Sequence, residues 1–379
     1  ACEAVKGKKY SFLRIDRAET QFGSDVDTYD DRVYAKAKEL LDDMVKEGVY
    51  VKEQKKCYYI YELTMNGRTQ TGIVACASID DYLNNIIKKH ENTRADKEID
   101  RIKHVDTCNA QTGPIFLAYR ENKKITEIIE NSKKNEPIFS FISNDGISHI
   151  GYVIDDVKDI KVIEDEFAGI NNIYIADGHH RAASAVKVGL KRREENPNYD
   201  GTEEFNYFLS VLFQEQELMI MPYNRVVKDL NGLTTNEFID KIKEKFDIVK
   251  VDNAQIEPEK KGQVTMFLEE KWYVLNAKKE ILSDDAVTGL DVSVLQDNIL
   301  GNILGIQDPR TDKRIDFIGG IRGLKELERR CNLDMKVAFA MYPTSIQELF
   351  NVADAGKLMP PKSTWFEPKL RSGLFIHEI

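Results

Sequence analysis

The sequence predicts an α+β protein, with a mixed sheet and packed helices followed by a smaller C-terminal α+β lobe. Helical and strand patterns alternate along the whole chain, and two strand pairs are joined by the turns Asn66-Gly67 and Asp145-Gly146. The sequence has no repeat with a period of about 20 to 50 residues, so it does not predict a solenoid. Hairpins between helices favour the α+β class over a doubly wound parallel sheet.

The chain length predicts two domains, because 379 residues exceed what one hydrophobic core usually serves. The change of pattern near Leu230 places them at residues 1–228 and 229–379. We expect the last segment, 359–379, to return to the functional site of the first domain.

Composition and charge exclude several classes of partner. The net charge of −10 and a pI near 5.3 argue against a nucleic-acid partner, which would need a basic face. No apolar stretch has the length of a membrane span, so no membrane partner is expected. The five cysteines are scattered without a C-x-x-C pair, which favours reduced thiols and a cytoplasmic protein.

Local signals predict the elements in order. One helix is expected to end near Gly48, and a second to cover 78–91 after a Ser-x-x-Asp cap. Three more helices are expected over 93–110, about 124–134 and about 157–168. A strand, "GPIFLAYR", precedes the second hairpin, and a strand before Asp177 leads into a helix from Arg181. Beyond the polar loop 193–206, two strands and a helix–strand–strand unit precede the helix "LDVSVLQDNILGNILGI" and the strand–turn–helix "RIDFIGGIRGLKELER".

The corner Asp177–Arg181, "DGHHR", carries the densest chemistry. A helix N-terminus attracts anions, and Gly178 allows a tight turn beside a ligand. His179, His180 and Arg181 add donors suited to phosphate, and a divalent cation would reconcile Asp177 with it. Two alternatives stay open: a solvated helix cap, and a histidine metal site of a hydrolase, which needs three or four ligands.

The segment 88–101 places His90 and Glu91 at a helix end. A partly buried Glu91 between two helices could act as a general base. Arg94, Lys97 and Arg101 recur on one helical face, which is more typical of a solvated surface.

A third segment, "MPPKSTWFEPKLRSG", contains Lys362, Ser363, Thr364 and Lys369. The glycines of a P-loop are absent, so that motif is rejected. The plain alternative is a proline-rich turn before the last strand.

Together these segments resemble one bacterial and archaeal family, catalogued as domain of unknown function 1015. The resemblance rests on "KKHENTRADKEIDR", "GPIFLAYR", "YIADGHHRAASA", "MPYNRVV", "LDVSVLQDNILGNILGI" and "MPPKSTWFEPKLRSGL", which follow in order over nearly the whole chain. The family is similar in turn to the ParB/sulfiredoxin-like nucleotide-binding fold, some members of which are kinases of free serine. This second step is an analogy of fold.

The resemblance implies a ParB/sulfiredoxin-like nucleotide-binding domain over 1–228. Gly178, His179, His180 and Arg181 would cradle the phosphates of ATP or ADP, and Asp177 would bind Mg²⁺. Glu91 would act as the base, and His90 would orient it. Lys362 or Lys369 would neutralise the transferred phosphoryl group. Ser363 and Thr364 would lie beside the phosphates.

The function expected from this resemblance is transfer of a phosphoryl group from ATP or ADP to the hydroxyl of a small molecule, with free L-serine first among the acceptors. A nucleotide-dependent hydrolase and a non-catalytic nucleotide-binding regulator are the alternatives. The expected partners are therefore a nucleotide and a small hydroxyl-bearing substrate, and a homodimer is left open.

Overall fold

The computed structural model describes residues 1–93, 95–251 and 255–379, without the side chains of residues 96 and 97. The chain forms two compact units, one of residues 1–218 with 368–379 and one of residues 219–367. The chain thus leaves the first unit after Leu218 and re-enters it at Pro368.

Helices and strands alternate in both units, which confirms the predicted α+β class. The helices are α1 (Cys2–Val5), α2 (Leu13–Asp16), α3 (Asp31–Lys46), α4 (Ile79–Leu83), α5 (Ala95–Cys108), α6 (Lys123–Ser132), α7 (Val157–Ala168), α8 (His179–Glu195), α9 (Thr235–Lys243), α10 (Asp291–Leu295), α11 (Gly323–Leu333) and α12 (Ile346–Asp354). The strands are β1 (Tyr58–Met65), β2 (Arg68–Ser78), β3 (Ile87–Lys88), β4 (Ala110–Gln111), β5 (Ile115–Tyr119), β6 (Phe139–Ile142), β7 (Ser148–Ile154), β8 (Ile173–Asp177), β9 (Tyr207–Gln214), β10 (Met219–Met221), β11 (Tyr223–Val227), β12 (Phe246–Val251), β13 (Gln263–Leu268), β14 (Lys271–Ala277), β15 (Ile315–Gly319), β16 (Val337–Met341), β17 (Trp365–Glu367) and β18 (His377–Glu378).

The first unit is built on a mixed sheet. Within the described residues its strand order is β3-β8-β5-β9-β2-β1-β7-β6, with β3/β8 and β5/β9 parallel and the other pairs antiparallel. Both predicted hairpins form, β1–β2 at Asn66-Gly67 and β6–β7 at Asp145-Gly146. Isoleucines from several strands and from α6 dominate the core below this sheet. The strand β18 pairs with β4, which ties the chain's end to this unit.

The predicted helix over 78–91 is wrong in its second half. Ser78 caps α4 through its side chain, as expected, but the helix ends at Leu83. The chain then turns, and β3 pairs with β8 over Ile87 and Lys88. Tertiary pairing with a buried strand overrides the local helical pattern here, because β-branched Ile87 fits the sheet edge. His90 and Glu91 therefore follow a strand and do not end a helix.

The second unit has its own antiparallel sheet, in the order β12-β14-β13-β16-β11-β15 within the described residues. The predicted helix–strand–strand unit corresponds to α9, β12 and the hairpin β13–β14, which turns at Glu269 and Glu270 with positive φ. In the part of the chain that is described, no helix is both long and apolar enough to cross a bilayer.

Candidate functional site

The corner between β8 and α8 presents uncapped helix amides. Gly178 has φ 95°, a left-handed conformation that glycine adopts without a Cβ clash, and it lets the chain turn from strand to helix. Asp177 Oδ1 accepts a hydrogen bond from the Gly178 N–H at 2.8 Å. Among the described residues no side chain caps α8, so the positive end of this 17-residue helix can attract an anion.

A cavity of about 340 Å³ lies at this corner, and all its walls come from the first unit. The α8 face below it is rich in alanine, so α5 packs close to α8. The lining residues are Asp16, Glu91, Arg101, His104, Val105, Gln111, Thr112, Gly113, Ile115, residues 177–181, Ser184, Ala185 and Ser372. The cavity therefore contains both Glu91 and the whole predicted corner.

Lys369 reaches the corner from the last segment of the chain. Its Nζ donates to Asp177 Oδ2 at 2.9 Å. Burial alone would raise the pKa of Asp177, but the charges of Lys369 and Arg181 outweigh it and lower this pKa below its usual value. Asp177 is therefore a carboxylate at neutral pH.

Arg181 places its guanidinium beside two glycines. A Cβ on Gly178 would lie 3.2 Å from Arg181 Nε, and a Cβ on Gly113 would lie 3.3 Å from Arg181 Nη1 and 2.8 Å from Ser372 Oγ. Burial lowers the pKa of Arg181, while Asp177 raises it. The two glycines thus leave room for a planar cation at the helix start.

His179 connects the corner to Glu91. Its Nε2 accepts a hydrogen bond from the His90 backbone N–H at 3.5 Å, so the ring proton is assigned to Nδ1, which lies 3.9 Å from Glu91 Oε2. Burial lowers the pKa of His179 well below its usual value, and neighbouring His90 adds to this. The 3.9 Å separation is longer than a hydrogen bond, and the Glu91 side chain is 46% exposed.

His90 is buried against His179, and the ring centroids lie 4.5 Å apart at 89°. Burial lowers the pKa of His90 to about 4. Its Nδ1 is buried without a hydrogen-bond partner among the described residues. The Glu91 carboxylate lies 3.9 Å from His179 Nδ1, and the orienting role that the resemblance implies for His90 stays a prediction.

The structure places Lys362, Ser363 and Thr364 in the second unit, just before β17. Lys362 Nζ lies 5.6 Å from the ring centroid of Tyr223. Ser363 Oγ donates to the Pro360 carbonyl at 2.6 Å. These contacts all lie within the second unit, and the phosphate role of the three residues stays a prediction.

Sequence reasoning missed several residues of the cavity, including Asp16, Gln111, Thr112, Gly113 and Ser372. Two signals were present, since Gly113 opens the strand motif "GPIFLAYR" and Ser372 lies in the segment "MPPKSTWFEPKLRSG".

Arg101 also lines the cavity, and its Nη1 lies 3.3 Å from Asp16 Oδ1. It belongs to the helical face for which a solvated surface was the favoured interpretation. The other members of that face, Arg94 and the Lys97 side chain, lie outside the described residues.

The corner offers one carboxylate, that of Asp177, to a metal ion. Among the described residues, no group of three or more His, Cys, Asp or Glu side chains could hold a metal ion. Mg²⁺ is commonly held by one or two carboxylates together with substrate phosphates. The single carboxylate of Asp177 fits that arrangement.

Comparison with known proteins gives a family and distant structural likenesses. A family model described as "Protein of unknown function (DUF1015)" matches residues 1–293. A search of curated proteins found no match. The solved structures that resemble this chain include a free serine kinase variant in complex with AMP, at 14% identity and TM-score 0.39, covering 77% of this chain and 87% of that one.

Two further solved structures are similar to this chain. A conserved hypothetical protein from Pyrococcus furiosus is 15% identical at TM-score 0.37, and the match covers 79% of this chain and 93% of that one. SbnI with a C-terminal truncation, from Staphylococcus aureus, is 11% identical at TM-score 0.43, with coverage of 80% and 87%.

Proposed function

The chain belongs to the DUF1015 family, and from the geometry of its first unit we propose that it is a phosphotransferase. It moves a phosphoryl group from ATP or ADP to the hydroxyl of a small molecule. One observation carries this proposal: Glu91 and the Asp177–Arg181 corner line the same cavity.

The phosphates bind at the start of α8. The amides of its first turn and the helix dipole attract an anion, and Arg181 supplies a fork of donors matched to phosphate oxygens. Lys369 adds an ammonium at the same corner. Phosphoryl transfer depends mainly on positioning and charge neutralisation, which these groups supply.

Asp177 is the residue that would hold Mg²⁺, through a carboxylate that its low pKa keeps ionised. When bound, the metal would neutralise charge on the nucleotide phosphates. Lys369 donates to Oδ2 of the same carboxylate, and its ammonium can move from that oxygen to a phosphate oxygen.

Glu91 acts as the general base. As the acceptor oxygen forms a bond to phosphorus, its proton passes to the Glu91 carboxylate, and the bond from phosphorus to the bridging oxygen of the nucleotide breaks. His179 Nδ1 lies 3.9 Å from Glu91 Oε2, longer than a hydrogen bond, and in this scheme the contact shortens when substrate binds. His179 is a positioning residue in this scheme.

The family resemblance makes free L-serine the first acceptor to test. The ParB/sulfiredoxin-like assignment of the core and the phosphate role of Lys362, Ser363 and Thr364 belong to the same proposal. A hydrolase that uses the same corner is the second candidate, because the 46% exposure of the Glu91 side chain gives water access to it.

Thermal unfolding with ATP or ADP plus Mg²⁺ tests the phosphate site. A ligand that binds only the folded state raises the melting temperature, so the wild-type protein should shift upward. Arg181→Ala should lose most of this shift. Arg192→Ala, at the other end of α8, should keep it, since that side chain pairs with Asp106. Equal shifts in wild type and Arg181→Ala would overturn the assignment.

A panel of amino-acid and polyol acceptors, followed by phosphorus NMR, tests the reaction. A kinase forms a phosphate ester only when the acceptor is present, whereas a hydrolase releases inorganic phosphate without one. Nucleotide binding with neither product would favour the regulator.

A further inference from the structure

The second unit contains a cavity of its own, with a volume of about 360 Å³. All of its walls belong to residues 219–367. Its polar lining includes Arg225, Gln296, Gln307 and Arg310, and its apolar lining includes Leu300. This volume lies within the range of small-molecule sites.

Arg225 is a buried cation on β11, which lies between β16 and β15, and the residue is only 3% exposed. Its guanidinium donates to two backbone carbonyls, of Tyr223 and, at 3.1 Å, of Lys362. Its central carbon lies 5.5 Å from the ring centroid of Phe317. Among the described residues no carboxylate pairs with it. Of its five N–H groups, two have a described acceptor.

Burying such a charge is costly unless a counter-charge accompanies it. Burial lowers the pKa of Arg225 to about 10, which still leaves a cation at neutral pH. An apolar side chain of similar volume would satisfy the packing of β11 at lower cost. The retained charge therefore points to a ligand.

The other charges of the cavity leave Arg225 uncompensated. Arg310 is 64% exposed and forms a two-pronged pair with Asp308, its Nε and Nη2 each lying 2.9 Å from a carboxylate oxygen. These two charges cancel. Gln296 and Gln307 each use one amide N–H on a backbone carbonyl, of Ile306 and Gly301.

We propose that this cavity binds a small organic carboxylate, with its head group on Arg225 and its apolar body against Leu300 and Phe317. One uncompensated cation matches a monoanion better than a phosphate dianion, and a guanidinium fork matches the two oxygens of a carboxylate. Arg225 comes from "MPYNRVV", Leu300 from "LDVSVLQDNILGNILGI" and Phe317 from "RIDFIGGIRGLKELER", and the proposed transfer in the first unit uses none of these segments. The inference stands independently of that transfer.

Benzoate, its neutral isostere benzamide and inorganic phosphate are suitable probes, with binding measured by ligand-observed NMR titration on the full chain. Benzoate should bind, and benzamide and phosphate should bind at least about tenfold more weakly, since they lack either the charge or the shape. Benzamide binding as tightly as benzoate would overturn the proposal, and so would phosphate binding as tightly.

Arg225→Lys keeps the charge but loses the fork, and it should weaken benzoate binding about tenfold. Arg310→Glu places a negative charge at the exposed rim and should weaken it several-fold. The Arg310→Glu variant tests the site even if the Arg225 variant does not fold. Arg329→Glu is the control, since Arg329 is 56% exposed on α11 and does not line the cavity.

Benzoate binding by Arg181→Ala shows whether the anion binds in this cavity or in the cavity of the first unit. Benzoate binding should survive that substitution. Loss of binding in Arg181→Ala, or unchanged binding in both Arg225→Lys and Arg310→Glu, would place the anion elsewhere and overturn the inference.

Discussion

Lys369 Nζ and Asp177 Oδ2 lie 2.9 Å apart although 192 positions separate the two residues in the sequence. This pair links the last segment of the chain to the start of α8. It also sets the charge of the candidate site, because it supplies a cation directly at the carboxylate assigned to the metal.

Lys369→Met should raise the pKa of Asp177 and weaken nucleotide binding about tenfold, because a charge-assisted bond to phosphate is lost. Isothermal titration with ATP and Mg²⁺ measures the affinity. Lys103→Met, which removes an exposed pair with Asp31, is the matched control and should bind normally. An unchanged affinity in Lys369→Met would contradict a phosphate role for Lys369.

The same variant has a defined effect on stability against pH. The folded-state pKa of Asp177 is lowered, so its contribution is present above the unfolded pKa near 3.9 and is lost as pH falls through the lower folded value. Both side chains are more than a third exposed, so solvent screening limits this contribution to about 1 kcal/mol. Urea unfolding should show Lys369→Met less stable than wild type at pH 7, with a smaller difference near about pH 3.5.

The sequence predicted what is local in this fold. Asn66-Gly67 and Asp145-Gly146 specify hairpins through their own turn preferences, and Asp177–Arg181 specifies a helix start. The strand β3 was missed because its pairing with β8 is a tertiary contact. No sequence spacing indicates that Gly113 or Ser372 lies beside Arg181, since those contacts depend on how distant segments meet.

Gly178→Ala should abolish most nucleotide binding. The positive φ strains any other residue by about 1–2 kcal/mol, and the new Cβ would lie 3.2 Å from Arg181 Nε. Gly146→Ala is the control, because Gly146 also has a positive φ but a Cβ added there would meet no atom within 4 Å. Both variants should melt at lower temperature, and only Gly178→Ala should lose the nucleotide-induced shift. A full shift in Gly178→Ala would argue against the corner as the phosphate site.

His90→Gln should change how stability depends on pH. The folded His90 stays neutral down to about pH 4, whereas an unfolded histidine takes up a proton near pH 6.5. The unfolding free energy therefore falls between about pH 6.5 and 4, by about 1.4 kcal/mol per pH unit for each such histidine.

Urea unfolding across this range should give a shallower slope in His90→Gln than in wild type. His149→Gln is a positive control outside the pocket, since burial also lowers the pKa of His149 to about 4. If only the His149 variant has a shallower slope, His90 does not titrate as the structure indicates.

The most direct test of the central claim is the rate of phosphoryl transfer by Glu91→Gln, followed by phosphorus NMR with the best acceptor of the panel. Glutamine keeps the shape of Glu91 but cannot take the proton. The melting-temperature shift with nucleotide and Mg²⁺ should survive, while transfer falls by on the order of 10²- to 10⁴-fold. Glu195→Gln, on the same helix as the corner and 52% exposed, should transfer normally. Transfer by Glu91→Gln at close to the wild-type rate would contradict the account.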